Sequence, residues 1–110
     1  MLKQWGENSI MNRYNSIFIE DNDNVVTTLW DIEKGETITA MGLEDKVIAK
    51  ENIKKGHKVA IKEISKDNEA IKYGKVIGIT LSHIGIGELV HTHNLRSNRG
   101  KELREGQEHA

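Results

Sequence analysis

Neither cysteine nor proline occurs anywhere in the 110 residues. Without cysteine the chain can form no disulfide of its own, hold no thiolate-bound zinc and run no thiol catalysis. Without proline, of which a chain this long ordinarily carries about five, turns must be made by the ten glycines and by Asn and Asp. Aromatics are scarce, at 5%, so the core must come from Ile, Val and Leu, which suit strands and close sheet packing. Charge of one sign is not in excess either: 16 Lys and Arg are interspersed with 17 Asp and Glu, for a net charge of -1. The basic stripe with interleaved aromatics expected of a nucleic-acid surface is missing. No stretch is apolar for long enough to span a bilayer, and Met1 to Asn8 lack the apolar core of a signal peptide. At 36% hydrophobic and 30% charged, the chain suits one domain with one small core. The expectation is a soluble cytoplasmic protein, mostly or wholly β.

What is present is a phrase used three times: Asp31-Ile32-Glu33-Lys34-Gly35-Glu36-Thr37-Ile38, Asn52-Ile53-Lys54-Lys55-Gly56-His57-Lys58-Val59 and His83-Ile84-Gly85-Ile86-Gly87-Glu88-Leu89-Val90. Each reads as a turn closed by a glycine at positive φ, followed by a new strand, with the Ile tucked into the core. The glycines lie 21 and 31 residues apart, too irregular for a solenoid. A fourth, related segment, Ile64 to Ile71, replaces the glycine with Asp67-Asn68, a pair that tolerates left-handed backbone. Strands are expected at Ile17 to Ile19, Asn24 to Trp30, Thr37 to Ala40, Lys46 to Ala49, His57 to Ile61, Ala70 to Tyr73, Val76 to Leu81 and Leu89 to Leu95. Glu44 to Asn52 admits a short helical turn instead. Residues 1–14 and 98–110 are polar and read as an extension and a tail on a domain at 15–97.

Three segments join a turn to side chains that handle protons or anions: Gly56-His57-Lys58, Lys72-Tyr73-Gly74 and His91-Thr92-His93-Asn94. Lysine supplies a point charge for a carboxylate, and Tyr and Asn supply directed hydrogen bonds. On a continuous strand His91 and His93 would leave the same face, an arrangement that suits a metal or an anion. Two imidazoles do not complete a metal site, which takes about three protein ligands. Each residue also has a plainer role: solvated charge for Lys58 and Lys72, turn closure for His57, a strand aromatic for Tyr73, a strand cap for Asn94. His83 and His109 suggest no role.

The conjunction is more specific than its parts. Gly-His-Lys at 56–58, Lys-Tyr-Gly at 72–74 and Val-His-Thr-His-Asn at 90–94, with Asp23-Asn24-Val25 upstream, strongly resemble the small subunit or N-terminal domain of the altronate and galactarate dehydratase family. The resemblance covers about residues 17 to 97. It implies an SAF-type β-clip fold, all-β, and a lyase that removes water from a sugar acid such as altronate to give a 2-keto-3-deoxy acid. It implies iron(II) or manganese(II) as cofactor, and a separate large catalytic subunit as partner, without which the chain has little or no activity. On this reading His91 and His93 are metal or substrate ligands and Lys58 or Lys72 holds the carboxylate. His57 and Lys58 are the catalytic candidates, and Lys72, Tyr73, Asn94 and Asn24 the substrate-binding ones. Where members commonly carry a His-Pro pair ahead of Asp-Asn-Val, this chain has Glu20-Asp21-Asn22. The small subunit of sulfolactate sulfo-lyase shares the three motifs and is the nearest alternative. A non-catalytic SAF module that binds a carboxylated sugar is another.

Overall fold

The computed structural model describes residues 14–97. Nine short strands run through them: β1 (Ser16–Ile17), β2 (Val25–Thr28), β3 (Thr37–Ile38), β4 (Val47–Ile48), β5 (Lys58–Ala60), β6 (Glu69–Lys72), β7 (Lys75–Thr80), β8 (Leu89–Val90) and β9 (Leu95–Ser97). They form three antiparallel sheets in the orders β1-β2-β5-β8, β3-β4 and β6-β7-β9. No helix occurs among the described residues, so the segment that admitted a helical turn at 44–52 carries β4 instead.

The repeated phrase builds the frame. Gly35, Gly56 and Gly87 have φ of 95°, 82° and 90°, and Asp67, standing in for glycine in the fourth phrase, has φ 64°. Each phrase's isoleucine pairs with that of another: Ile32 with Ile53 and Ile64 with Ile84, as antiparallel bridges. The polar residue that opens a phrase has a job across the first pair. Asp31 Oδ1 accepts the Lys55 N–H at 2.8 Å, and Asn52 Oδ1 accepts the Lys34 N–H at 2.8 Å. The phrases therefore couple two by two, and in the first pair each turn is capped by its partner.

The single core expected from chain length divides into two clusters. Val26, Ile32, Ile38, Val47, Ala49, Ile53, Val59 and Ile61 form one, and Val25, Ala60, Ile64, Ala70, Ile84, Val90 and Leu95 the other. Strand alternation explains the division. Val25 and Val26 on β2, and Val59 and Ala60 on β5, send successive side chains to opposite faces, so the central pair of strands is buried on both sides.

One expected strand breaks. Leu89 to Leu95 is not continuous: β8 ends at Val90, residues 91–94 turn, and β9 joins a different sheet. Asn94 is the cause. Its Oδ1 accepts the His91 N–H at 2.9 Å and its Nδ2 donates to the Leu89 carbonyl at 2.7 Å, closing a loop that the chain cannot cross extended. The polar ends at 1–13 and 98–110, and His109 with them, lie outside the described residues.

Candidate functional site

The register between β5 and β8 assembles the site. Lys58 lies opposite Val90, so the next residues outward, His57 and His91, face each other across the strand ends. Their rings stack, with centroids 4.9 Å apart and planes 27° from parallel. His57 Nδ1 is buried without a hydrogen-bond partner. His91 and His93 are both exposed on the 91–94 turn, and His91 Nδ1 lies 3.1 Å from Thr92 Oγ1. The same-face geometry expected of a strand His-x-His does not hold, because no strand runs through them.

A cleft of about 710 Å³ opens beside this pair. Lys58, Lys72, Lys75, His91, Thr92 and Ser97 supply its polar lining, and Val76, Ile77, Val90 and Leu95 its apolar surface. No acidic residue among those described lines it. Lys58 is half-buried and its ammonium is held below the usual lysine range, first because burial strips its water and then because Lys72 is charged nearby. Converging ammonium groups, a tempered lysine and hydroxyls from Thr92 and Ser97 make a receptor for an anion that also carries hydroxyl groups.

Lys72 and Lys75 flank a two-residue hairpin loop, Tyr73-Gly74, that joins β6 to β7. Both loop residues have positive φ, 55° and 77°, as a type I′ turn requires. Lys72 Nζ lies 4.8 Å from the centroid of the Tyr73 ring, within cation–π range. Tyr73 thus reaches the site through Lys72.

The two asparagines serve the backbone. Asn94 is buried and both its amide atoms close the 91–94 turn. Asn24 Oδ1 accepts the Ile71 N–H at 2.6 Å and its Nδ2 donates to the Glu69 carbonyl at 2.9 Å, which joins β2 to β6. Asn24 borders a second cleft of about 420 Å³ with Glu63, Asp67 and Glu69, apart from the lysines. His83, at 2.5 Å from Glu63, sits beside that acidic cleft. The structure thus brings Lys58, Lys72 and His91 to one cleft, with His57 stacked on His91 and Tyr73 at the edge, and brings neither His93 nor either asparagine into the lining.

No group of three or more His, Asp or Glu side chains is arranged to hold a metal among the described residues. A residue that composition and spacing did not single out is Asp23, whose carboxylate is fully buried below the Tyr73-Gly74 loop. The available signal was an X-Gly pair between two short strand-like segments, the mark of a tight hairpin whose amide groups need an acceptor.

The architecture is an all-β domain of short antiparallel strands, consistent with the SAF-type β-clip, presenting a basic cleft at its strand ends. Residues 14–98 match the altronate/galactarate dehydratase SAF domain, and the chain belongs to that family. It is 43% identical over 82 residues to an altronate dehydratase of Bacillus subtilis (strain 168), covering 74% of this chain and 16% of that protein. With an altronate dehydratase of Escherichia coli (strain K12) it shares 36% identity over 77 residues, 69% of this chain and 15% of that protein. With the (2R)-sulfolactate sulfo-lyase subunit alpha of Chromohalobacter salexigens it shares 32% over 87 residues, 74% of this chain and 93% of that subunit. The chain therefore spans about a sixth of the length of these altronate dehydratases and nearly all of the sulfo-lyase subunit.

Proposed function

We propose that this domain is the small component of a sugar-acid dehydratase, acting with a large catalytic subunit to convert altronate to 2-keto-3-deoxy-gluconate and water. The observation that carries the reading is the cleft in which Lys58, Lys72 and Lys75 converge with His91 and no acidic neighbour. Lys72 and Lys75 anchor the carboxylate, and Thr92 and Ser97 meet hydroxyl groups of the sugar chain. Lys58, whose partial burial weakens its hold on its proton, is the lining group suited to handling the α-proton beside that carboxylate, and His57, stacked on His91, is the second catalytic candidate. A divalent metal, iron(II) or manganese(II), when bound supplies positive charge opposite the anion that develops as the α-proton leaves. His91 and His93 are the donors this chain would offer it, and on this reading the large subunit would complete the ligand set.

A second reading has its own support. The match to sulfolactate sulfo-lyase subunit alpha extends over 93% of that subunit, so sulfite rather than water is the competing leaving group. Co-expression with a large subunit of the family, followed by an anaerobic assay with iron(II) against altronate and sulfolactate, separates the two. Keto-acid formed from altronate only when both chains are present supports the dehydratase, and sulfite release selects the sulfo-lyase. Failure of the chains to associate, with neither product, leaves a carboxylate-binding module.

A further inference from the structure

The hairpin that carries Lys72 and Lys75 into the cleft has an unfavourable loop. Two-residue type I′ loops favour Asn-Gly, Asp-Gly or Gly-Gly because both residues take positive φ. Here the first position is Tyr73, at φ 55°, a conformation in which a bulky side chain is uncommon. Something outside the loop must select that conformation, and the structure shows what does. Asp23 is wholly buried directly against the loop. Its Oδ1 accepts the Gly74 N–H at 2.7 Å, and the Tyr73 N–H also faces the carboxylate. Its Oδ2 accepts the Glu20 N–H at 3.1 Å and the Ile19 N–H at 3.3 Å. Successive N–H groups in left-handed backbone form a concave anion nest, and here an internal carboxylate fills it.

We infer that Asp23 is a positioning residue for the cleft: its carboxylate fixes the Tyr73-Gly74 loop and thereby sets where Lys72 and Lys75 stand for a bound carboxylate. The inference rests on the reading of the cleft as a carboxylate site. Asp23 does not line that cleft and touches no ligand there, so it acts through the backbone of the loop. Packing at Gly74 is also tight, since a Cβ there would meet Glu20 Cγ at 3.0 Å. The loop is held between Asp23 below and Glu20 beside it.

The test is a titration of the full chain with D-gluconate, followed by amide NMR, in wild type, Asp23→Asn, Tyr73→Asn and the double variant. Asp23→Asn is expected to raise the Kd at least about fivefold while amide shifts of β2, β5 and β8 stay in place. Asn-Gly holds a type I′ loop by itself. The double variant is therefore expected to bind within about twofold of Tyr73→Asn alone, a comparison in which loss of the aromatic ring cancels. Gly74→Ala, which leaves the carboxylate intact and strains the same loop, is expected to weaken binding as well and serves if Asp23→Asn does not fold. Wild-type affinity in folded Asp23→Asn, or in folded Gly74→Ala, would overturn the inference. So would a double variant that loses affinity by the full Asp23→Asn factor, because Asp23 would then act otherwise than through the loop. Absence of any gluconate binding by wild type would remove the carboxylate reading itself, and the inference with it.

Discussion

Replacing Asn94 by alanine tests whether this asparagine serves substrate or backbone. Its side chain is 6% exposed and spans the base of the 91–94 turn, taking the His91 N–H on Oδ1 at 2.9 Å and giving Nδ2–H to the Leu89 carbonyl at 2.7 Å. Asn94→Ala removes the side-chain partner of both backbone groups at a part-buried turn. Each buried group left without a partner costs about 1 to 3 kcal/mol, so a loss of about 3 kcal/mol is expected in the isolated chain. With an m-value of about 1 kcal/mol/M, at the low end of the range for small domains in urea, the midpoint should fall by about 3 M. Asn94→Asp should be nearly as damaging near neutral pH, because it keeps the acceptor but sets a carboxylate oxygen against the Leu89 carbonyl. Its deficit should shrink at low pH, where the protonated carboxyl can donate to the Leu89 carbonyl, and grow as the carboxyl ionises. Urea denaturation at pH 7 and pH 4 measures both effects. A midpoint shift under about 0.5 M for Asn94→Ala, at unchanged m, would refute the turn-building role and return Asn94 to the list of surface groups available to a ligand.

Gly87→Ala should prevent folding or lower the melting temperature by more than about 20 °C, since a Cβ there would sit 2.0 Å from the Ile48 carbonyl oxygen at φ 90°; a thermal melt by circular dichroism decides it. Lys72→Gln removes the like charge that helps hold the Lys58 ammonium down, so the Lys58 pKa should rise toward the ordinary lysine value while the larger effect of burial remains; NMR of the lysine side-chain resonances against pH reads the change. The Asp23 carboxyl is raised by burial, but the N–H groups of Glu20, Gly74, Ile19 and Tyr73 outweigh this and hold it below its ordinary value of 3.8. Its folded-state pKa is therefore depressed, and the stability it contributes is complete above that ordinary value and lost as pH falls through the lower folded one. Wild type should lose stability across that acid window more steeply than Asp23→Asn, as denaturation midpoints between about pH 5 and pH 2 would show.

The turns were legible in the sequence because their chemistry is local. A glycine or Asp-Asn in the fifth place of each phrase announces left-handed backbone whatever surrounds it, and Asp67 at φ 64° behaves as its glycine counterparts do. Which phrase pairs with which was not legible, because pairing depends on register between segments 20 or 21 residues apart, and isoleucine at all four positions gives no preference. The broken strand at 91–94 was hidden for a related reason. Leu89 to Leu95 suggests a strand because His91 and His93 fall between two leucines on one parity, and the sequence does not show that Asn94 closes a turn there and that Leu95 joins another sheet, opposite Thr80 on β7. For Asn24 and Asn94 the amide chemistry that suits a ligand suits a backbone ladder equally. Burial decides for Asn94, and for Asn24 the partners of both its amide atoms do.

The grouping of Lys58, Lys72 and His91 at one cleft depends on strand register rather than on strand length. Antiparallel pairing of Lys58 with Val90 puts His57 against His91 whether or not the chain continues straight beyond them. Pairing of Lys72 with Lys75 across a two-residue loop puts both lysines in the lining of the cleft. Lys58 opposes them from β5, partly desolvated and without an acidic neighbour in the lining, an arrangement that works against the stability of the empty fold. A chain that charges its own cleft in this way needs a rigid support for the part it repels. The buried carboxylate of Asp23, held by amide groups of both the 19–23 segment and the hairpin loop, ties that loop down from outside the cleft. Because the carboxylate sits beneath the backbone rather than beside the lysines, it restrains the hairpin while leaving the cleft basic for an anion to fill.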